Sequence, residues 1–210
     1  MQKITFPLLA LVLLASGCSR PPATSNEKSG GGSATPAKAP AKKEAQRIAG
    51  REAFQKLYLA ARNWSPDSRP LKIESRPLSD EPRDGKASAW SGTFASQQRG
   101  LFRSFLWSGA EGESSISPGS QDTYSAGNAS TQPFDPAYLK TDTDEALTTA
   151  DKHAPAEAKK DKKGPVAFQL YNDTAKQRLL WRVIYGQSEH SAKAVVDISA
   201  RDGGFVKVEK

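Results

Sequence analysis

The sequence predicts an α+β fold in which a helix followed by three antiparallel strands occurs twice, behind a leader and a polar tether. Three observations lead there. Ala53, Phe54, Leu57, Tyr58 and Ala61 recur with helical spacing and form one apolar stripe. Short β-branched and aromatic runs follow, separated by turn residues. Finally, Phe54 precedes Trp90 by 36 residues and Leu147 precedes Trp181 by 34, so the same helix-to-tryptophan distance nearly repeats. Two copies are too few for a solenoid, and a duplicated helix-on-sheet unit accommodates them.

Met1-Gln2-Lys3 supplies a positive start, and residues 4–15 form a short apolar run. That run has the dimensions of a signal-peptide core and is too short for an ordinary transmembrane helix. It ends in Leu14-Ala15-Ser16-Gly17-Cys18, small residues before a cysteine, which resembles the lipobox of bacterial lipoproteins. The resemblance implies removal of residues 1–17, a diacylglyceryl group on the Cys18 thiol and acylation of the new amine. Cys18 is the single cysteine of the chain, so it has no disulfide partner within it, and lipidation gives the thiol a role. Ser19 stands where many inner-membrane lipoproteins have Asp, and by that resemblance the periplasmic face of the outer membrane is the expected address.

Residues 18–44 carry the lipidated cysteine and a linker with almost nothing to bury. Gly30-Gly31-Gly32 makes a flexible hinge, while Pro36 and Pro40 favour extended backbone. Such a composition cannot offset its ordering entropy, and a coil of this length spans about 25–30 Å. The formal charge of +7 is concentrated over residues 20–47, where Arg20, Lys28, Lys38, Lys42, Lys43 and Arg47 face only Glu27 and Glu44. A basic tail beside anionic headgroups fits a membrane-anchored chain. It does not describe a basic groove, so no nucleic-acid partner is expected.

The first α+β repeat is expected over residues 45–108. Its helix should stop near Trp64, because Ser65-Pro66 does not continue it easily. Strand-like runs follow at 71–78, 86–96 and 101–107, with Asp84-Gly85 as a tight turn before the second. Residues 109–136 return to Gly, Ser and Pro and read as a mobile connection.

The second repeat is expected over 137–210. Asp142 is a suitable N-cap with Glu145 three residues on, and Ala146, Leu147 and Ala150 form the helix's apolar side. Runs at 166–171, 179–185 and 194–198 follow a Lys-rich break. Asp202-Gly203-Gly204 then turns the chain into a closing strand, Phe205–Val208.

Asp144-Glu145-Ala146-Leu147, Leu180-Trp181-Arg182-Val183 with Tyr185-Gly186, and Val196-Asp197 before Asp202-Gly203-Gly204-Phe205-Val206 together resemble the PepSY-like domains of bacterial envelope proteins. The resemblance covers about a third of the chain. It implies a small helix-on-sheet module acting outside the cytoplasm, often restraining a peptidase or meeting a binding partner, without chemistry of its own.

Signs of catalysis are sparse. His153 and His190 are the two histidines and lack ligand-like spacing, and a zinc site needs several converging ligands, so no metal or cofactor is expected. The acidic run Asp142-Thr143-Asp144-Glu145 lacks the spacing of a Ca²⁺ loop and reads as carboxylates favoured at a helix N-terminus. Neither a phosphate loop between strand and helix nor a nucleophile elbow is present. Trp90 and Trp181 read as core anchors, whereas Trp64 and Trp107, at predicted element ends, are the candidates for an exposed partner-binding patch. The function expected is that of a non-catalytic, lipid-anchored envelope protein that binds or modulates a protein or peptide. The alternatives are a structural or assembly role at the outer membrane or cell wall and, less favoured, a hydrolase.

Overall fold

The computed structural model describes residues 44–78, 81–112, 114–128, 131–160 and 164–210. The leader, Cys18 and nearly all of the tether lie outside the described residues. The chain enters through a two-residue strand β1 (Ile48–Ala49) and helix α1 (Gly50–Trp64), then β2 (Arg69–Ser75), β3 (Lys86–Ala87), β4 (Ala89–Ser96), β5 (Leu101–Ser108) and β6 (Ser115–Thr123). After a crossing segment come α2 (Thr143–His153), the short α3 (Ala156–Lys160), β7 (Ala167–Asp173), β8 (Arg178–Ile184), β9 (Val195–Ser199) and β10 (Phe205–Val208). Helices and antiparallel strands thus make an α+β fold.

Both sets of strands join one antiparallel sheet of eight, in the order β10-β9-β8-β7-β2-β4-β5-β6, while β1 pairs separately with β3. Strands β2 and β7 meet at the centre, and each half runs outward from them in chain order. Helix α1 packs on β4, β5 and β2, and α2 on β9, β8 and β10. On the helix-facing side Ile73, Trp90, Phe94, Phe168, Leu170, Trp181, Val183 and Ile198 form a continuous core.

Trp90 and Trp181 occupy corresponding places in it. Both are fully buried on the second sheet strand of their half, and their rings meet edge to face with centroids 6.4 Å apart. The Trp90 indole N–H donates to the carbonyl of Ile48, two residues before α1 begins, at 3.1 Å. That of Trp181 donates to Thr141, two residues before α2 begins, at 2.9 Å. A buried indole needs such an acceptor, and each one ties the start of a helix to the sheet beneath it.

The helix N-termini are also tied to each other. Ala49, the N-cap of α1, has no side chain able to cap. Instead the Gly50 N–H donates to Thr143 Oγ1 and the Arg51 N–H to Asp142 Oδ1, each at 2.9 Å. Asp142 also caps its own helix by accepting from the Thr143 N–H. Residues from the second half therefore satisfy donors that α1 would otherwise leave unpaired. The approach is close: a Cβ on Gly50 would lie 2.5 Å from the Trp181 ring and 2.7 Å from Thr143 Cγ2.

Several expected boundaries hold to within a few residues. Helix α1 ends at Trp64, Gly85 and Gly203 have the positive φ their turns need, and the last strand is Phe205–Val208. The reading of 109–136 as connection alone needs correction. Residues Ser115–Thr123 form β6, which pairs along β5 with every residue exposed. Its polar composition, SISPGSQDT, carries neither β-branched alternation nor a buried face. Backbone pairing with β5 is what makes it a strand, and Pro118 blunts a sheet edge.

Candidate binding face

Because both helices cover one side of the sheet, alternation sends every second side chain to the other. Strand register aligns these into a transverse row crossing all eight strands: Ser117, Leu106, Ser91, Glu74, Gln169, Arg182, Asp197 and Lys207. A parallel row places Ser104, Thr93, Lys72 and Tyr171 side by side. Over the first half the face is small and polar. Thr93 and Ser104 hydroxyls lie 3.3 Å apart, and Lys72 pairs with Glu74 at 2.8 Å. Phe102 and Leu106 add partly exposed apolar surface.

Over the second half the face carries a fixed charge network. The Asp197 side chain is 0% exposed and that of Arg182 is 13% exposed. Arg182 Nε donates to Asp197 Oδ1 at 2.9 Å, and Nη2 to Oδ2 at 3.2 Å. The Tyr171 hydroxyl donates to Asp197 Oδ2 at 2.9 Å, with the Arg182 guanidinium stacked over its ring at 4.5 Å. Glu189, at 3.0 Å, and Glu209, at 2.8 Å, complete the surroundings of Arg182; Lys207 approaches Asp197 at 3.5 Å and pairs with Glu209. Burial pushes the Tyr171 hydroxyl well above the ordinary phenol range, and the negative charge of Asp197 adds to it, so the phenol stays a donor. For Arg182 burial works against the charge, but hydrogen bonds to Asp197 and Glu189 outweigh it and hold the guanidinium charged.

The loop between β8 and β9 folds over the end of this face. Gly186 lets it turn back with φ 156°, and a Cβ there would sit 2.9 Å from Ala192 Cα. Ala192 closes a small apolar cluster with Ala167, Ile184 and Val195, and Glu189 on the same loop reaches Arg182. Two concavities flank the network. One of about 360 Å³ is lined by Lys72, Thr93, Phe102 and Tyr171, and one of about 410 Å³ by Glu74, Gln169, Ile184 and Glu189. The arrangement is a shallow, preorganised trough with hydrogen-bonding rows and an apolar rim, suited to an extended or flat partner surface.

The residues singled out from sequence fare differently. Trp90 and Trp181 are core anchors, as expected. Trp107 is not an exposed candidate: it is fully buried beside Trp90 in register, because the helix-facing alternation of β5 runs through it. Trp64 is half-buried, packed edge to face on Phe105 at 6.3 Å, with the Arg99 guanidinium over its ring at 5.4 Å. It lies at the end of α1, away from the rows described above. Cys18 falls outside the described residues. His153 stacks on Phe205 with ring centroids 3.9 Å apart, and His190 sits in the exposed β8–β9 loop, so the two are not brought together. Among the described residues no group of three or more His, Cys, Asp or Glu side chains converges as metal ligands.

Sequence reading did not assign Arg182 and Asp197 a role. The available signal was a pair of opposite charges, each inside an apolar strand run at a position whose neighbours face the core. Register alone makes them adjacent. Among the described residues no helix is long and apolar enough to cross a membrane. No protein-family model, curated protein sequence or solved structure matches the chain.

Proposed function

We propose that this chain is a non-catalytic lipoprotein of the bacterial envelope, whose folded part binds a protein or peptide on the helix-free face of its sheet. In this reading residues 1–17 are removed, Cys18 carries the lipid, and the tether holds the folded part off the periplasmic face of the outer membrane. The run Leu14-Ala15-Ser16-Gly17-Cys18 and the lone thiol support the anchor. The folded part is read as a duplicated helix-plus-sheet unit, its second copy PepSY-like. Support comes from the mirrored strand order about β2 and β7, and from two indoles that bond carbonyls at equivalent distances before their helices.

The observation that carries the binding reading is the transverse row from Leu106 to Lys207. Its polar groups are set in register on a rigid sheet, so a partner meets them without an ordering penalty at the surface. The Asp197 carboxylate is committed to Arg182 and Tyr171, which makes it a structural acceptor for the face and not a free base.

The test is a photoactivatable side chain placed at Thr93 or Gln169 in the full chain in intact cells, with Leu59 as control. Leu59 is 65% exposed on α1, which packs on the other face of the sheet. Discrete adducts at Thr93 and Gln169, absent at Leu59 and lost when Ser91 is replaced by Trp, are expected. Identical adduct patterns at all three positions would refute the assignment of the face. Mass spectrometry of the mature N-terminal peptide tests the anchor separately, and an unmodified Cys18 thiol would refute it.

A further inference from the structure

Beside the trough's concavity of about 360 Å³, with which it shares Gln132, Asn172 and Thr174, lies a further cavity of about 690 Å³. One wall is the segment crossing between β6 and α2, with Phe134, Asp135 and Tyr138. The facing wall is made by the start of β8 and the β9–β10 turn, with Arg178, Leu179 and Arg201, and Arg69 opens β2 beside them. The walls are held in place by backbone bonds. The Phe134 N–H donates to the Pro70 carbonyl at 3.0 Å, those of Lys140 and Thr141 both donate to Ala200 at 2.9 Å, and that of Ala200 donates to Leu179 at 3.0 Å.

Three guanidiniums line this space, and none of them is in a salt bridge among the described residues. Arg178 is the telling one. Its cross-strand partner is Asp173, yet the Asp173 carboxylate accepts instead from the Lys176 N–H, at 3.3 Å. Arg178 Nε is buried without a hydrogen-bond acceptor. The two acids on the cavity wall are engaged locally: Asp135 Oδ1 accepts from the Ala137 N–H at 2.9 Å, and Asp202 Oδ1 from the Gly204 N–H at 3.1 Å. Arg201 is exposed, lies over the Tyr138 ring at 5.6 Å and interacts electrostatically with its neighbour Asp202 without a direct ion pair. The Arg178 guanidinium has no ion-pair or hydrogen-bond partner among the described residues, and a ligand that supplies oxygens to its outer N–H groups provides one.

We propose that this cavity binds a small organic oxyanion, a carboxylate or phosphate carried on an apolar or aromatic frame. The oxyanion would be gripped by Arg178 with Arg69 and Arg201, since guanidinium forks match both oxyanions in a bidentate way. The frame would rest against Phe134, Tyr138 and Leu179. The volume falls within the range of roughly 300–1,000 Å³ usual for small-molecule sites. This cavity adjoins the trough, but Arg69, Arg178 and Arg201 line neither of the trough's concavities, so the arginine variants test this site apart from the trough.

The experiment titrates the full chain, in neutral detergent at low salt, with phenyl phosphate, 3-phenylpropionate and benzyl alcohol, followed by calorimetry and backbone amide NMR. Saturable binding of at least one anion is expected, shifting the amides of Leu179 and Gly203, weakening with salt, and exceeding any binding of the neutral alcohol. The anion that binds more tightly identifies phosphate or carboxylate as the ligand chemistry. Arg178→Gln is expected to weaken binding about tenfold or more, equivalent to about 1.4 kcal/mol. Arg69→Gln, at an exposed position at the start of β2, should weaken it less. Failure of both anions to saturate, equal binding of benzyl alcohol, or unchanged affinity in both arginine variants would overturn the proposal.

Discussion

Although Arg182 and Asp197 form one ion pair, replacing the arginine is expected to destabilise the chain more than replacing the acid. In Arg182→Met the Asp197 carboxylate remains wholly inaccessible and loses two hydrogen bonds, keeping Tyr171 at 2.9 Å and Lys207 at 3.5 Å. Stranding a buried charge costs about 3–5 kcal/mol, and the two surviving contacts place this case near the lower end. In Asp197→Asn the guanidinium keeps Glu189 at 3.0 Å and Glu209 at 2.8 Å, so no charge is stranded. The loss is then that of a charge-assisted hydrogen bond, about 1.5–2 kcal/mol. The double variant Arg182→Met with Asp197→Asn removes both buried charges and leaves Glu189 and Glu209, which are partly exposed, to rehydrate. Its cost should fall below that of Arg182→Met alone, giving a coupling of about 2 kcal/mol in a double-mutant cycle. Urea unfolding of the full chain followed by circular dichroism measures all four corners, provided the slope with denaturant is unchanged. If Asp197→Asn costs as much as Arg182→Met, or if the two losses simply add, the carboxylate is not the desolvated partner and the reasoning fails.

Gly50→Ala places a methyl against the Trp181 ring and Thr143 at the junction of the helix N-termini; overpacking of this kind costs about 1–3 kcal/mol, read as a lower urea midpoint. Trp107→Ala should cost about 3–5 kcal/mol as a core truncation, whereas a binding-only role would leave the midpoint unmoved. Asp67 gives a pH dependence. Burial pushes its carboxyl up, but hydrogen bonds from the Gln98 N–H, Ser96 and Ser65 outweigh that and lower it from 3.8 to about 2. A depressed acid stabilises the fold above its unfolded value, and that contribution is lost as the pH falls from about 4 through about 2. The stability difference between wild type and Asp67→Asn, measured in urea, should therefore be full near neutrality and shrink across that window; a difference constant with pH would contradict the assignment.

Local chemistry made much of the architecture readable. Ser65-Pro66 ends α1 at Trp64, Asp142 caps α2, and the glycines at 85 and 203 turn the chain between strands, because caps and turns depend on residues within a few positions of one another. The tryptophan spacing likewise pointed to two residues that are both core anchors. Strand β6 escaped this reading because its side chains bury nothing. Trp107 was misplaced because its position at the end of an apolar run does not reveal which face of the sheet it joins, and a shift of one residue reverses that answer.

By itself, then, the sequence determined the α+β class, most element boundaries and the two indole anchors, all of which follow from short-range periodicity. Tertiary structure decided that both halves share one sheet, that the second half caps the first turn of α1, and that Arg182 meets Asp197. It also decided that Arg69, Arg178 and Arg201 surround a single cavity. These are contacts between residues far apart in the chain. They depend on strand order and register, which are set by the balance of burial and pairing over the whole sheet and are encoded in no single segment.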